Sequence, residues 1–366
     1  MNRTAQIALG VVGLLVLGLA LAFLLEDDDP YRRAQWPELA AGEEAIVFGG
    51  DTFLGLGAQR LLTAEGPGAT LRDLAPLFAG ATAVVINQEG AITARPPVKG
   101  PNGTRKGYGA HPSTAAALAA AGVTHASLAN NHALDRGLAG LRDSIRHLDE
   151  AGIAAFGAGE DVTEALQPVV IEAGGVRVGI VGMLHPWPKY WKADWAATED
   201  RPGIAMLRKP RVVQAVAHAR AVADVVVLFG HTGREYKPLH SSQRTEADWA
   251  VEAGVDLFIG HHSHVAQGWS HHDGLPVVWG LGNLAFGSSG RFGEDDGYGL
   301  LARLVLSEGA MDRVELLLIE TNPRKTAYRS RPATLRVLDE VYADLATQGP
   351  TDLERRGDVA VLRIRR

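Results

Sequence analysis

Short apolar runs separated by helix-like stretches set the rhythm of this chain. Residues 45–49, 83–86, 123–128, 176–182, 225–229, 255–259 and 277–281 are rich in Val, Ile, Leu and Ala and run to between four and seven residues. Runs of that length, bounded by Gly and polar turns, read as buried strands. Residues 153–157 and 168–171 read as two more short strands. Between them, a stretch within 57–80, centred on 71–78, and residues 114–121, 138–151, 210–223 and 245–253 have helical patterning. Residues 300–307 and 313–320 alternate as a terminal strand pair, and residues 335–345 predict one further helix. Strands alternating with helices predict an α/β fold.

The N-terminus breaks this rhythm. Residues 5–25 carry no charge, with Gln6 the one strongly polar side chain. That is the length needed to cross a bilayer core. Arg3 precedes it, and Glu26, Asp27, Asp28 and Asp29 follow it. The positive flank predicts a cytoplasmic N-terminus and a single-pass cell-membrane anchor with the C-terminal domain outside. A cleaved signal peptide is the rival reading, with Ala20-Leu21-Ala22 as its cleavage motif. The apolar run continues past that motif through Phe23-Leu24-Leu25, which favours an uncleaved anchor. Residues 26–44 hold Pro30 and Pro37 and read as a linker. The expected division is therefore an anchor over 1–25, a linker over 26–44, a main domain over 45–321 and a C-terminal extension over 322–366.

Polar residues recur where the apolar runs stop. Asp51, Glu89, Asn131 with His132, His231, and His262 with His264 each lie just beyond such a run. Ligands of open α/β sheets bind outside the carboxyl ends of the strands. His262 and His264 are two apart, which in an extended segment puts both rings on one side. His261, His271 and His272 read as surface or supporting groups. Oxygen and imidazole ligands in this number suit Mn, Zn, Fe or Mg, one ion or two, better than calcium. Glu235 and Asn283 are further candidates near the same strand ends. Arg95, Arg105 and Lys106, in a Pro/Gly-rich loop over 93–112, are candidates to meet an anionic substrate. The insertion over 185–203 carries Trp187, Tyr190, Trp191 and Trp195, and reads as a lid, a polymer platform or a cover for the sheet edge.

Composition narrows the chemistry. The chain has 366 residues and no cysteine, so disulfides, thiolate ligands and cysteine nucleophiles are excluded. A net charge of −6 gives no basic footprint for nucleic acid.

The motifs resemble a known family. Gly50-Asp51-Thr52-Phe53-Leu54-Gly55, Asn87-Gln88-Glu89-Gly90 and Ser127-Leu128-Ala129-Asn130-Asn131-His132-Ala133-Leu134-Asp135 appear in that order. Gly157-Ala158-Gly159, His231-Thr232-Gly233-Arg234-Glu235-Tyr236, Gly260-His261-His262-Ser263-His264-Val265 and Gly280-Leu281-Gly282-Asn283 follow. Together they resemble the poly-γ-glutamate capsule-synthesis proteins of the CapA/PgsA type, a branch of the calcineurin-like metallophosphoesterase superfamily. The resemblance implies a sandwich of two mixed β-sheets flanked by helices. It implies that Asp51 and His264 hold a first metal, that Asn131, His231 and His262 hold a second, and that Glu89 bridges them. His132 would stand by the leaving group, oriented by Asp135. Two departures matter: Phe53 stands where typical members of the superfamily have a histidine, and Glu89 is one methylene longer than the usual aspartate bridge.

The function implied is biosynthesis or export of poly-γ-glutamate or a related cell-surface polymer, in company with capsule-synthesis membrane subunits. The metal site would be hydrolase-like. A non-catalytic, polymer-binding accessory subunit of a membrane ligase and a general secreted phosphoesterase are the alternatives.

Overall fold

The computed structural model describes residues 29–99, 107–189, 194–288, 297–347 and 354–364. Its main elements run β1 (Glu44–Phe53), α1 (Leu56–Glu65), β2 (Ala83–Gln88), α2 (Ser113–Ala120), β3 (His125–Ser127), α3 (Gly137–Glu150), β4 (Ala154–Phe156), β5 (Val169–Ala173) and β6 (Val176–Leu184). Then come α4 (Lys209–Arg220), β7 (Val225–His231), α5 (Ser241–Ala253), β8 (Leu257–His261), β9 (Gln267–His272), β10 (Leu275–Gly280) and β11 (Asn283–Phe286). The chain closes with β12 (Tyr298–Ser307), β13 (Ala310–Glu320), α6 (Leu335–Thr347), β14 (Glu354–Arg356) and β15 (Val359–Arg363).

Two mixed sheets form. The first has the order β14-β15-β13-β12-β1-β2-β3-β4, with β11 also paired to β1; the second has the order β9-β10-β8-β7-β6-β5. The centres are parallel: β1 with β2, β2 with β3 and β3 with β4 in one sheet, and β6 with β7, β7 with β8 and β8 with β10 in the other. Antiparallel pairs lie outside them. The apolar runs behave as parallel strands buried on both faces do: every β1 residue after Glu44 is buried, as is all of β7. The inner faces meet through aromatic contacts, with Phe229 5.9 Å from Phe48 and 6.4 Å from Phe156.

Helices cover the outer faces. α3 turns Gly140, Leu141, Ser144 and Leu148 inward and leaves Arg142 and Arg146 to solvent-facing ion pairs. α5 begins where the Gln243 side chain accepts from the His240 N–H at 2.9 Å and ends at left-handed Gly254. Such an end suits a residue without a β-carbon. The helical stretch expected within 57–80 forms as α1, and at its suggested core, 71–78, only one turn forms, Ala75–Phe78. Pro76 in that first turn and the preceding turn residues shorten it.

The segments flanking residues 45–321 pack onto the sheets. Residues 30–44 do not hang free: Ala34 is fully buried, its N–H bonds Ala333 O at 2.8 Å, and Arg32 makes a two-pronged ion pair with Asp358 at 2.9 Å. Residues past 322 join the first sheet as β14 and β15 rather than standing apart. Tyr342 of α6 donates to Leu316 O at 2.8 Å and fastens the helix to β13. The expected anchor over 5–25 lies outside the described residues, among which no helix is long and apolar enough to cross a membrane.

Candidate metal centre

The parallel strands of both sheets present their carboxyl ends to one place. Asp51 sits at a bulge of β1, opposite Asn87 of β2 and Asn283 of β11. His231 ends β7, in register with His261 of β8. Close packing makes this possible: a β-carbon at Gly260 would lie 2.2 Å from Trp279 O, and one at Gly50 would lie 1.9 Å from Gly282 O. His262 and His264 do not converge by strand alternation as the sequence suggested. Both have positive φ, 93° and 59°, so the chain turns sharply and brings their ring centroids to 5.9 Å. Non-glycine residues in that region are held there by their surroundings at an energetic cost, a common feature of functional sites.

All six predicted ligands come together. His231 Nε2 lies 2.8 Å from Asn131 Oδ1 and 2.9 Å from His262 Nδ1. Two donors about 2.1 Å from one cation, at right angles, lie about 3.0 Å apart; both of these separations are close to that value. On the other side, Asp51 Oδ2 is 3.4 Å from His264 Nδ1, and His264 Nε2 is 3.8 Å from Glu89 Oε1. Asn283 Oδ1 lies 2.9 Å from His264 Nδ1, which gives that candidate a place beside the ligands. Asp51, His231 and His261 form one group of convergent ligand atoms, and Glu89, His262 and His264 form another.

The electrostatics fit a cation. Glu89 is fully buried, and among the described residues neither carboxylate oxygen has a hydrogen-bond donor. Burial first, then the charges of Asp51, Glu235 and Asp135, push its carboxyl well above the usual range. Burial opposes the Asp51 carboxylate too, but contact with His261 and the fields of His264, His261 and His262 outweigh it and hold the carboxyl below its ordinary value. Burial, reinforced by neighbouring imidazoles, drives His231 and His262 well below the usual histidine range. Neutral imidazoles around an orphaned carboxylate are what a divalent ion requires.

His132 stands apart by exposure. Its side chain is 24% exposed, against 0% for Glu89 and 5% for His264. Its Nδ1 lies 2.6 Å from Asp135 Oδ2, which also accepts from the Tyr108 N–H at 2.7 Å. Its Nε2 lies 3.8 Å from Glu89 Oε1. Phe53, where a first-metal histidine would stand, is buried in an apolar cluster with Tyr108 and Phe286, at centroid distances of 4.5 and 5.5 Å.

Other candidates fare differently. Arg95 is bound to Asp143 by Nε at 2.7 Å and takes no part in the cluster. Arg105 and Lys106 lie outside the described residues. Glu235 is exposed at the rim and lines a cleft with Asn131 and His262. His261 is fully buried, not at the surface: its Nδ1 lies 3.3 Å from Asp51 and 2.9 Å from His231 Nδ1. His271 and His272 are half-buried, His272 paired with Asp248 at 2.6 Å. Sequence reasoning missed Asn87, whose amide donates to Asp51 Oδ1 at 2.8 Å, and Asn130, whose amide donates to Gln88 O at 2.7 Å. Their positions beside Glu89 and Asn131 were the available signal.

Residues 45–288 match the family described as "Bacterial capsule synthesis protein PGA_cap". The chain belongs to this capsule synthesis family. It is 33% identical over 178 residues to "Capsule biosynthesis protein CapA" of Bacillus anthracis, covering 47% of this chain and 42% of that one. It is 31% identical over 212 residues to a "Probable polyglutamine synthesis accessory protein" of Mycobacterium tuberculosis (strain CDC 1551 / Oshkosh), covering 55% and 54%. The chain thus spans about half the length of these curated relatives. Among solved structures it is similar to the calcineurin-like phosphoesterase YfkN from Bacillus subtilis, at 15% identity and a TM-score of 0.46, over 84% of this chain and 98% of that one. Likeness at that level bears on no claim about chemistry.

Proposed function

We propose that this chain is a membrane-anchored, outward-facing protein of poly-γ-glutamate or related surface-polymer biosynthesis, with a metal-dependent hydrolase-like site. The observation that carries the metal site is Glu89, a buried carboxyl group without a donor among the described residues, grouped with the ring nitrogens of His262 and His264. Asp51, His264 and Glu89 would hold one divalent ion, and Asn131, His231 and His262 the other, with Mn, Zn, Fe or Mg as the candidates. Such an ion, when bound, supplies a Lewis acid and a water of lowered pKa. Asp135 fixes the His132 ring through Nδ1 and leaves Nε2 to give a proton to a leaving oxygen or nitrogen. Tyr108 packs against that ring at 4.3 Å and limits its motion. The names of the relatives support the polymer class and association with its synthesis machinery. The charge-free run over 5–25 supports the anchor, and Arg3 on its N-terminal flank supports the outward orientation.

Phe53 favours a second reading, a polymer-binding accessory subunit with a reduced metal site. One experiment separates the two. The purified full chain is assayed for bound metal, for turnover of a generic phosphodiester with and without manganese, and for binding of polyglutamate. Tight metal and turnover lost in His132→Ala support the hydrolase. Metal-free, inert protein that retains the polymer supports the accessory role and refutes the first reading.

A further inference from the structure

The turn that leaves β7, residues 232–236, is pinned at both ends and carries two charged residues between the pins. At one end the Thr232 N–H donates to His261 O at 2.9 Å, and the Thr232 hydroxyl donates to the buried Glu246 carboxylate. The other Glu246 oxygen takes His185 Nδ1. At the far end the Tyr236 N–H donates to Ser263 O at 2.8 Å, and the Tyr236 ring stacks on His264 with centroids 5.5 Å apart. Left-handed residues make the reversal, Gly233 at φ 98° and Tyr236 at φ 55°. A β-carbon at Gly233 would come within 2.9 Å of the Gln243 side chain, so the turn is fixed against α5. A strained turn held at both ends displays its apex in a defined place.

Arg234 and Glu235 are that apex, and both are exposed. Among the described residues no carboxylate pairs with Arg234. With Asn131, Trp187, Lys189 and His262 the two line a cleft of about 150 Å³. At about 30 Å³ per water, that is room for about five waters, the scale of a single oxyanion or one short side chain. The Trp187 ring stands 4.5 Å from His262 and gives the cleft an apolar wall. Such a wall strengthens a charge-assisted hydrogen bond beside it.

We propose that this cleft is an oxyanion subsite, in which Arg234 binds a carboxylate or phosphate group of the substrate beside the bond presented to the metal centre. The inference rests on the hydrolase-like reading of that centre. A guanidinium offers two parallel N–H donors to such a group, which a lysine does not. Glu235 beside it opposes the anion and keeps its binding weak enough for release. The role expected of Arg95 in the sequence falls to Arg234, since Arg95 is already neutralised by Asp143.

The test is titration calorimetry on the full manganese-loaded chain, with inorganic phosphate and γ-glutamylglutamate as separate probes. Arg234→Gln is expected to weaken binding about tenfold. Arg234→Lys should recover part of the loss, and Glu235→Gln should bind at least as tightly as the wild type. Metal content should not change in any of the three. A loss confined to phosphate or to the dipeptide identifies which oxyanion the subsite takes. Unchanged affinity for both probes in Arg234→Gln overturns the proposal, as does a loss that tracks lost metal. If no ester is turned over while binding still depends on Arg234, the hydrolase reading fails and the subsite stands.

Discussion

Replacing Glu89 by leucine should make the metal-free protein more stable and the metal-loaded protein less so. Without a cation, the wild type buries a carboxyl group whose oxygens meet no donor. Leaving a buried polar group unsatisfied costs about 1–3 kcal/mol, and more when it is charged. Leucine is close in volume and has nothing to satisfy, so Glu89→Leu should gain about 1–3 kcal/mol in chelator. In a chain of this size that is a rise of a few degrees in melting temperature. Saturating metal reverses the order. A ligand at a hundred times its Kd adds about 2.7 kcal/mol to the wild type. The variant, lacking the carboxylate between the two ligand groups, should gain almost none of it. Thermal melts in EDTA and in excess manganese, read for both proteins, give the four values needed. If Glu89→Leu melts below the wild type in EDTA, the carboxylate is held by protein contacts. The reasoning about a cation then fails.

Further expectations concern pH, proton transfer and the fold. The raised Glu89 pKa means that its contribution to metal-free stability is complete below about pH 4.5 and is lost as pH rises through the folded value. The lowered pKa values of His231 and His262 act oppositely: their contribution is complete above about pH 6.5 and is lost as pH falls through the lowered folded values. A cation needs Glu89 ionised, so metal affinity should rise with pH and binding should release protons; calorimetry giving the same heat in buffers of different ionisation enthalpy would refute this. Asp135→Asn should lower kcat by about 10²-fold with metal content unchanged, and equal turnover would refute the role of Asp135 in orienting His132. Glu315 is fully buried between Arg303 and Arg313, each reaching it through Nε at 2.8 Å, so Glu315→Gln should cost about 3–5 kcal/mol in urea unfolding; a loss under 1 kcal/mol would refute that account.

The candidate ligands were legible because they follow strands, and strands announce themselves by apolar runs. Asp51, Asn131, His231 and His262 needed no knowledge of which strand pairs with which. What the sequence hid depends on pairing. His261 read as a surface or supporting group, and the register of β8 against β7 places it inward, against Asp51. Asn283 had no spacing argument because β11 reaches β1 only through a long-range parallel pairing. Arg95 was legible as a cation, but its partner Asp143 on α3 was not, since 48 residues separate them. The extension over 322–366 gave no strand signal because β14 and β15 are only three and five residues long and join the sheet through β13, from elsewhere in the chain.

On the proposed reading, side chains from both sheets hold one cation between them. Anomalous diffraction from crystals of the manganese-loaded protein tests it most directly. The account predicts a peak about 2.0–2.3 Å from Asn131 Oδ1, His231 Nε2 and His262 Nδ1. A saturated sample with no peak there, or with its metal only at the surface group of Asp248, His272 and Asp273, would contradict it.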